Sequence, residues 1–331
     1  MTLTDVAEAA GVSPQTVSRS IRSPQLVSEV TLERVRDAIS ATGYVPNLAA
    51  SNLASNRSMT VAAVIPAVSA SIFADALHGL AQVLSPAGYQ LFIGTTDYRP
   101  EREEEIIRAF LGRRPDGIFI VGTEHTQAAT RLLKDANVPV VETWALTGTP
   151  VHSVVGFSNH DAIREIVQYV ISRGYKHPTF AGSMQAGDAR AIERQRSFES
   201  AMRELRPTED VRVVDSGTRQ IDFETGKQLL DRVLRERPET DVLMFSSDVF
   251  AAGALLECAR RGIDVPGQLA ITGFGDFEIA RNLVPSLTTV AVPNLEIGNR
   301  AGQLLLRSMT DANTAPEIVD LGFSVVGRES A

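Results

Sequence analysis

The chain has 331 residues, of which 44% are hydrophobic and 22% are charged, a composition typical of a globular protein with more than one domain. Its net charge of −8 excludes a protein that binds DNA or an anionic membrane through overall charge alone. A single cysteine, Cys258, excludes an internal disulfide, and the absence of a secretory signal or a bilayer-spanning apolar run leads us to expect a cytoplasmic protein without membrane contact.

The N-terminal stretch predicts three short helices around a glycine turn. Thr2 is a good N-cap for the first helix, and Gly11 supplies the turn that follows it. Ser13 caps a second helix whose first position is Pro14, and a third helix is predicted from Ser28. Two helices joined by such a turn and supported by a third form a helix-turn-helix, whose second helix fits the major groove of DNA.

The second helix carries an outward face of polar groups. Gln and Arg side chains pair bidentately with adenine and guanine edges, whereas hydroxyls and helix N-termini bind phosphates. Helix periodicity alone leaves open a small bundle with a solvated polar face. The outward residues are Pro14, Gln15, Ser18, Arg19 and Arg22.

From Thr60 onward, short β-branched runs such as VAAVIPAV and DGIFIVGT alternate with helical stretches of about 12–15 residues. This alternation predicts parallel sheets covered by helices. There are too many strands for one sheet, and a break near 156–161 divides them into two similar lobes. The final runs, LTTVAVP and PEIVDLGFSVVG, are expected to complete the sheets.

Catalytic motifs are missing from this α/β region. It contains no phosphate-binding GxxxxGKS/T, no dinucleotide-binding GxGxxG and no G-x-S-x-G elbow. Its histidines do not have the spacing of metal ligands. We therefore predict a protein that is not an enzyme and has no cofactor or metal. The histidines are His78, His125, His152, His160 and His177.

The segments LTDVAEAAGVSPQTVSR and VSEVTLERVRDAISATGYVPNLAASNLAS resemble the N-terminus of LacI/GalR-family transcriptional repressors. The resemblance implies a helix-turn-helix domain at 1–45, a hinge helix and linker at 46–58, and an effector-binding and dimerisation domain at 59–331. It also implies a homodimer that binds double-stranded, palindromic operator DNA. The implied DNA-binding residues are Thr2, Thr4, Ser13, Pro14, Gln15, Thr16, Ser18, Arg19 and Arg22, with Asn47, Leu53 and Ala54 in the hinge, where Leu53 enters the minor groove.

The resemblance extends over the large domain, which looks like a periplasmic-binding-protein fold that closes two lobes around a small ligand. It implies a first lobe at about 59–157 and 290–316, and a second lobe at about 158–289 and 317–331. Closure of the lobes would alter the separation of the two hinges. The implied effector-binding residues are Ile72, Phe73, Thr123, Glu124, Trp144, Arg194, Ser247, Asp248, Gly275 and Asp276.

Two departures from the family pattern concern the effector. Many sugar-binding relatives have Asn at the position of Ser247 and Asp at the position of Gly275. A pocket with fewer acidic groups repels an anion less strongly. Arg194 could bind such an anion, with Arg190 as a helper. Together with similarity to the gluconate-operon repressor subgroup, this predicts a sugar acid such as gluconate that releases the operator. A neutral sugar, a co-repressor and a cytoplasmic sugar-binding protein remain as alternatives.

Overall fold

The computed structural model describes residues 1–45, 57–68, 71–185, 187–311 and 313–331, with the side chain of Arg22 left out. The chain divides into two compact units, Met1–Met59 and Thr60–Ala331. The predicted hinge segment PNLAASNLAS lies outside the described residues. Among the helices of the described ranges, none is long and apolar enough to cross a membrane.

The first unit contains the predicted helix-turn-helix. Thr2 and Asp5 form a reciprocal capping box at the start of the first helix, and Gly11 ends that helix with a φ of 63°. Ser13 caps the second helix through the backbone N–H of Thr16. The three helices are α1 (Leu3–Ala10), α2 (Pro14–Arg22) and α3 (Glu29–Thr42).

The three helices bury a shared apolar core. Val6, Val17 and Val35 are fully buried at its centre, one from each helix. Arg34 of α3 donates hydrogen bonds to the carbonyls of Ala10 and Gly11, which ties the turn to the third helix. Because the apolar residues of α2 pack into this core, its polar residues lie on the opposite face of the helix.

The second unit is built from two lobes of alternating strands and helices, as predicted. The first part of the chain supplies β1 (Thr60–Ile65), α4 (Ser71–Leu84), β2 (Gln90–Thr95), α5 (Pro100–Leu111), β3 (Gly117–Val121), α6 (Gln127–Asp135), β4 (Val140–Thr143) and β5 (Ser153–Gly156). The next part supplies α7 (Asn159–Ser172), β6 (Pro178–Gly182), α8 (Ala189–Leu205), β7 (Arg212–Asp215), α9 (Phe223–Glu236), β8 (Val242–Phe245), α10 (Asp248–Arg261) and β9 (Ala270–Gly275). The last part supplies β10 (Thr288–Ala291), α11 (Asn294–Thr310), β11 (Ile318–Asp320) and β12 (Ser324–Val326).

Each lobe has a six-stranded sheet. The strand order is β11-β5-β4-β3-β1-β2 in the first sheet and β12-β10-β9-β8-β6-β7 in the second. All pairings are parallel except that of β10 with β12. Parallel sheets bury both faces, which explains why β3, β6 and β8 are wholly buried. Cys258 is buried in the core of the second lobe.

The predicted division of the C-terminal residues between the lobes is wrong in detail. Ile318 pairs with Val154, so β11 lies at the edge of the first sheet although 317–331 was assigned to the second lobe. β12 alone joins the second sheet. Further upstream, β10 belongs to the second sheet, whereas α11, which follows it, packs on α4 of the first lobe. Three-residue strands carry no pattern that distinguishes one sheet from another.

Candidate functional site

The outward face of α2 is the candidate DNA-reading surface. Gln15 and Arg19 are exposed, and neither side chain makes a hydrogen bond or ion pair with a residue that the structure describes. Their donors are therefore available to a partner. Pro14 is exposed beside them at the start of the helix, and Ser18 is partly exposed.

The predicted phosphate-contacting hydroxyls lie at helix starts. The Thr2 hydroxyl accepts a hydrogen bond of 3.3 Å from the Asp5 N–H, and the Ser13 hydroxyl accepts one of 3.1 Å from the Thr16 N–H. The hydroxyls of Ser13 and Thr16 are 2.9 Å apart. Thr4 is exposed on α1. The Arg22 side chain, Asn47, Leu53 and Ala54 lie outside the described part of the chain.

A cavity of about 950 Å³ opens between the two lobes of the second unit, at the carboxyl ends of the parallel strands. Each lobe contributes loops and helix starts to its wall, among them Ala67 and Ser183 after β1 and β6. The structure brings together here the predicted residues Ile72, Phe73, Trp144, Arg194, Ser247 and Gly275, together with the predicted helper Arg190.

The first lobe supplies an aromatic wall. Phe73 and Trp144 are each 1% exposed, and their rings meet edge to face with centroids 5.1 Å apart. The Phe119 ring also meets the indole edge to face, with ring centroids 6.2 Å apart. The Trp144 indole nitrogen is buried and has no hydrogen-bond partner among the described residues. The wall is therefore apolar apart from one unsatisfied donor.

Arg194 of α8 is the centre of the polar side. Its Nε donates to the side-chain oxygen of Asn159 at 2.8 Å, and its Nη1 donates to the carbonyl of Ser246 at 3.0 Å. Its guanidinium carbon lies 3.7 Å from the centroid of the Phe274 ring. Burial, together with the positive charge of Arg190, lowers the pKa of Arg194 to about 10, so the group is still charged at neutral pH.

Three of the acidic residues around the cavity have cationic partners of their own. Asp188 lies 3.6 Å from Arg190, and Glu224 forms an ion pair of 3.0 Å with Lys227. Asp97 binds Arg102 at 2.6 Å. By contrast, no carboxylate in the described ranges forms an ion pair with Arg194, whose protein partners are neutral oxygens.

Comparison with known proteins assigns both units. The family model for bacterial regulatory proteins of the lacI family matches residues 2–47, and the model for a periplasmic binding protein-like domain matches residues 167–331. The HTH-type transcriptional regulator GntR of Pseudomonas aeruginosa is 33% identical over 329 residues, covering 99% of this chain and 95% of the relative. This chain belongs to the LacI family of transcriptional regulators.

Two further proteins are similar to this LacI-family chain over nearly its whole length. The HTH-type transcriptional regulator IdnR of Escherichia coli is 33% identical, covering 98% of this chain and 97% of that protein. A crystal structure of a LacI-family transcriptional regulator from Silicibacter pomeroyi has a TM-score of 0.91 and 36% identity, covering 100% of this chain and 99% of the other. LacI-family repressors bind operator DNA and small-molecule effectors and act as dimers. The predicted family and fold class are thus confirmed.

Two predicted effector residues of this LacI-family regulator lie elsewhere. The chain turns at Gly122, whose φ is 101°, and Thr123 and Glu124 then line a separate cavity of about 50 Å³. Glu193 of α8 lies in the wall of the same small cavity. Burial, and the nearby negative charge of Glu124, raise the pKa of the Glu193 carboxyl.

The two predicted acidic residues of the interlobe loops are also turned away from the main cavity. Asp248 is fully buried, and its carboxylate accepts hydrogen bonds from the Thr289 hydroxyl at 2.6 Å and the Phe277 N–H at 2.8 Å. Burial raises its pKa to about 7. Asp276 forms an ion pair of 2.6 Å with Arg328. Both residues hold the loops together within the second lobe and do not line the cavity.

Several residues of the site were not predicted from the sequence, among them Asn159 and Tyr98. Asn159, at the start of α7, is 1% exposed and donates to the Trp144 carbonyl at 3.0 Å while it accepts from Arg194. Tyr98, in the loop after β2, lines the cavity. The two residues that Asn159 contacts lie 15 and 35 positions away in the sequence, and the arginines near Tyr98 belong to the other lobe. No local pattern therefore indicates either residue.

Proposed function

We propose that this LacI-family regulator represses a sugar-acid utilisation operon, that it binds a palindromic operator as a homodimer, and that gluconate or a related aldonate releases it. The observation that carries the proposal is Arg194, a half-buried cation in the cavity wall whose hydrogen-bond acceptors among the described residues are neutral oxygens.

A cation that is partly withdrawn from solvent and has no ion-pair partner is costly, and an anionic ligand lowers that cost by supplying a direct partner. A carboxylate binds a guanidinium through paired, charge-assisted hydrogen bonds. The Nη2 atom of Arg194 makes no hydrogen bond with a described residue and can take part in such a pair. We therefore place the carboxylate of the effector at Arg194.

The remainder of the cavity suits the polyol chain of an aldonate. Ser183, Ser246 and Ser247 bring hydroxyl groups from the second lobe, opposite the aromatic wall of Phe73 and Trp144. The departures from the sugar-binding pattern act in the same direction. Gly275 carries no side chain, and the Asp276 carboxylate is neutralised by Arg328, so neither repels an anion.

Release of the operator requires that the effector bind more tightly to the arrangement that cannot hold DNA. The cavity is lined by both lobes, so a ligand that contacts both favours their closure. We propose that closure changes the separation of the two hinge segments in a dimer. Gln15 and Arg19 would then read base edges in the major groove only when the two helix-turn-helix units match the half-site spacing.

Intrinsic fluorescence of the full-length protein tests the effector class, because Trp144 is the only tryptophan in the chain and lies in the cavity wall. Titration with gluconate is compared with D-glucitol, which has the same carbon skeleton without the carboxylate, and with glucose. We expect a saturable change with gluconate and none with the neutral compounds at 100-fold higher concentration. Saturable binding of a neutral hexose with no response to any sugar acid would overturn the proposal.

A further inference from the structure

The loop after β2 holds an unusual backbone conformation at the mouth of the cavity. Asp97 and Tyr98 have φ values of 50° and 56°, in the left-handed region that bulky residues seldom occupy. The loop is held by a hydrogen bond of 2.9 Å from the Asp97 N–H to the Pro66 carbonyl and by the ion pair of Asp97 with Arg102. Such strained positions persist where the surrounding structure enforces them, and they are common at ligand sites.

This loop meets the second lobe across the cavity. Gly187, in the loop between β6 and α8, has a φ of 106°, and a Cβ atom on it would lie 2.0 Å from the Tyr98 carbonyl oxygen. The two backbones therefore touch at a position that only glycine permits. Tyr98 belongs to the first lobe and Gly187 to the second, so this contact exists only when the lobes are as close as they are here.

The Tyr98 side chain reaches the arginines of the second lobe. Tyr98, Asp188, Arg190 and Arg194 line the same cavity, and the Tyr98 hydroxyl interacts with the Arg190 guanidinium. The arginine can only donate hydrogen bonds, so the hydroxyl oxygen is the acceptor in this contact. The hydroxyl donates to no residue among those described. Burial raises the pKa of Tyr98, so its proton remains available for donation across the accessible pH range.

We propose that the Tyr98 hydroxyl donates a hydrogen bond to the carboxylate that Arg194 binds, and that this hydrogen bond forms only when the lobes close. Tyr98 is then a specificity-determining residue that couples effector affinity to lobe closure. The proposal rests on the sugar-acid function proposed above. It adds a first-lobe donor to a carboxylate site whose arginines, Arg190 and Arg194, both belong to the second lobe. A ligand held from one lobe alone would not favour closure.

The test is Tyr98→Phe in the full-length protein, which removes one oxygen atom and leaves the aromatic ring in place. The matched control is Tyr175→Phe, which makes the same change in the second lobe away from the cavity. Gluconate affinity is measured by isothermal titration calorimetry, operator affinity without gluconate by anisotropy, and the unfolding temperature by calorimetry. The last two measurements show whether Tyr98→Phe still folds into a DNA-binding protein.

We expect Tyr98→Phe to weaken gluconate binding about tenfold or more, as is typical for loss of a hydrogen bond to a charged group, with effector-free operator affinity and unfolding temperature unchanged. Tyr175→Phe should match the wild type in all three measurements. Equal gluconate affinity in Tyr98→Phe and the wild type would overturn this inference alone. Failure of the wild type to bind gluconate would overturn the proposed function, and this inference with it.

Discussion

The Nε atom of Arg194 donates a 2.8 Å hydrogen bond to the side-chain oxygen of Asn159, and the amide nitrogen of the same asparagine donates to the Trp144 carbonyl at 3.0 Å. One buried amide thus fixes the orientation of the cavity's central cation and joins it to the aromatic wall of the first lobe. Because the amide is neutral, it orients Arg194 without neutralising it, and the guanidinium keeps its charge for a ligand.

Replacement of this amide by a carboxylate tests that arrangement. In Asn159→Asp, the new carboxylate would pair with Arg194 and compete with the effector, so we expect gluconate affinity to fall at least about tenfold. The lost hydrogen bond to Trp144 should cost about 1–3 kcal/mol of stability. Calorimetric titration and urea unfolding measure the two effects. Asn137→Asp, at an exposed position, is the control, and undiminished gluconate affinity in Asn159→Asp would contradict the assigned role of Arg194.

Arg194→Gln should abolish the effector response. Loss of a charged, paired hydrogen bond to the carboxylate is expected to weaken gluconate binding about 100-fold. Because Arg194→Gln also removes the donor to the Asn159 and Ser246 oxygens, we expect the free energy of unfolding to fall by about 1–3 kcal/mol. Arg196→Gln removes the same charge from an exposed position on α8 and should behave as wild type. Similar gluconate affinities in the two variants would show that the carboxylate lies elsewhere.

The α2 face makes a separate prediction about DNA. Gln15→Ala and Arg19→Ala should each weaken specific operator binding about 10- to 100-fold, because a bidentate base contact is worth about 1–3 kcal/mol. Gluconate affinity should not change in either variant. Gln25→Ala, which removes an exposed glutamine outside α2, is the control. Anisotropy with specific and scrambled DNA at fixed salt separates the effects, and equal losses on both DNAs would argue against base reading.

Gly275 offers a test of cavity shape. An added Cβ would lie 2.4 Å from the Phe277 ring, and the φ of 126° is unfavourable for any other residue. Gly275→Ala should therefore lower stability by about 1–3 kcal/mol and displace Phe277, which lines the cavity. Gly262→Ala is matched for positive φ but has open space around the new methyl group. A loss of gluconate affinity confined to Gly275→Ala is expected; equal affinities would show that Phe277 does not shape the site.

A buried histidine outside the main cavity predicts a pH dependence of stability. His125 lies 2.7 Å from Glu103 and 3.5 Å from Glu142. Burial lowers the pKa of the imidazole, but the hydrogen bond that its Nδ1 donates to Glu103, and the negative charges of Glu103 and Glu142, outweigh it and raise the pKa from 6.5 to about 9. Since the folded state holds the proton more tightly, the stabilisation is fully present below pH 6.5 and is lost as the pH rises through about 9.

Urea unfolding at pH 6.5 and at a pH above 9 measures this effect. At about 1.4 kcal/mol per pKa unit, the wild type should lose roughly 3 kcal/mol more than His125→Gln between the two conditions. The variant itself is expected to be less stable at the lower pH, where it leaves the two glutamates without their cation. Parallel pH profiles for the two proteins would show that His125 is not protonated in the folded state.

Local sequence signals predicted much of the fold. Ser13, Pro14 and Gly11 defined the helix-turn-helix because caps and turns depend on neighbouring residues, and strand–helix alternation gave two parallel α/β lobes. The assignment of β11 failed because its three residues carry no information about which sheet they join.

Prediction of the cavity was less complete for a related reason. Phe73, Trp144 and Arg194 were named through family resemblance, and they do meet in one cavity. Asp248 and Asp276 were placed there as well, but their partners Thr289 and Arg328 lie 41 and 52 residues away and draw their carboxylates elsewhere. Contacts over such distances depend on the assembled fold and leave no local pattern in the sequence.

The most direct test of the central claim is binding of the full-length protein to the DNA immediately upstream of its own gene, titrated with and without gluconate. Salt concentration is held fixed, because phosphate contacts make protein–DNA affinity steeply salt-dependent. The account predicts specific binding that weakens as gluconate is added, with no effect of D-glucitol. Specific binding that gluconate leaves unchanged would contradict it.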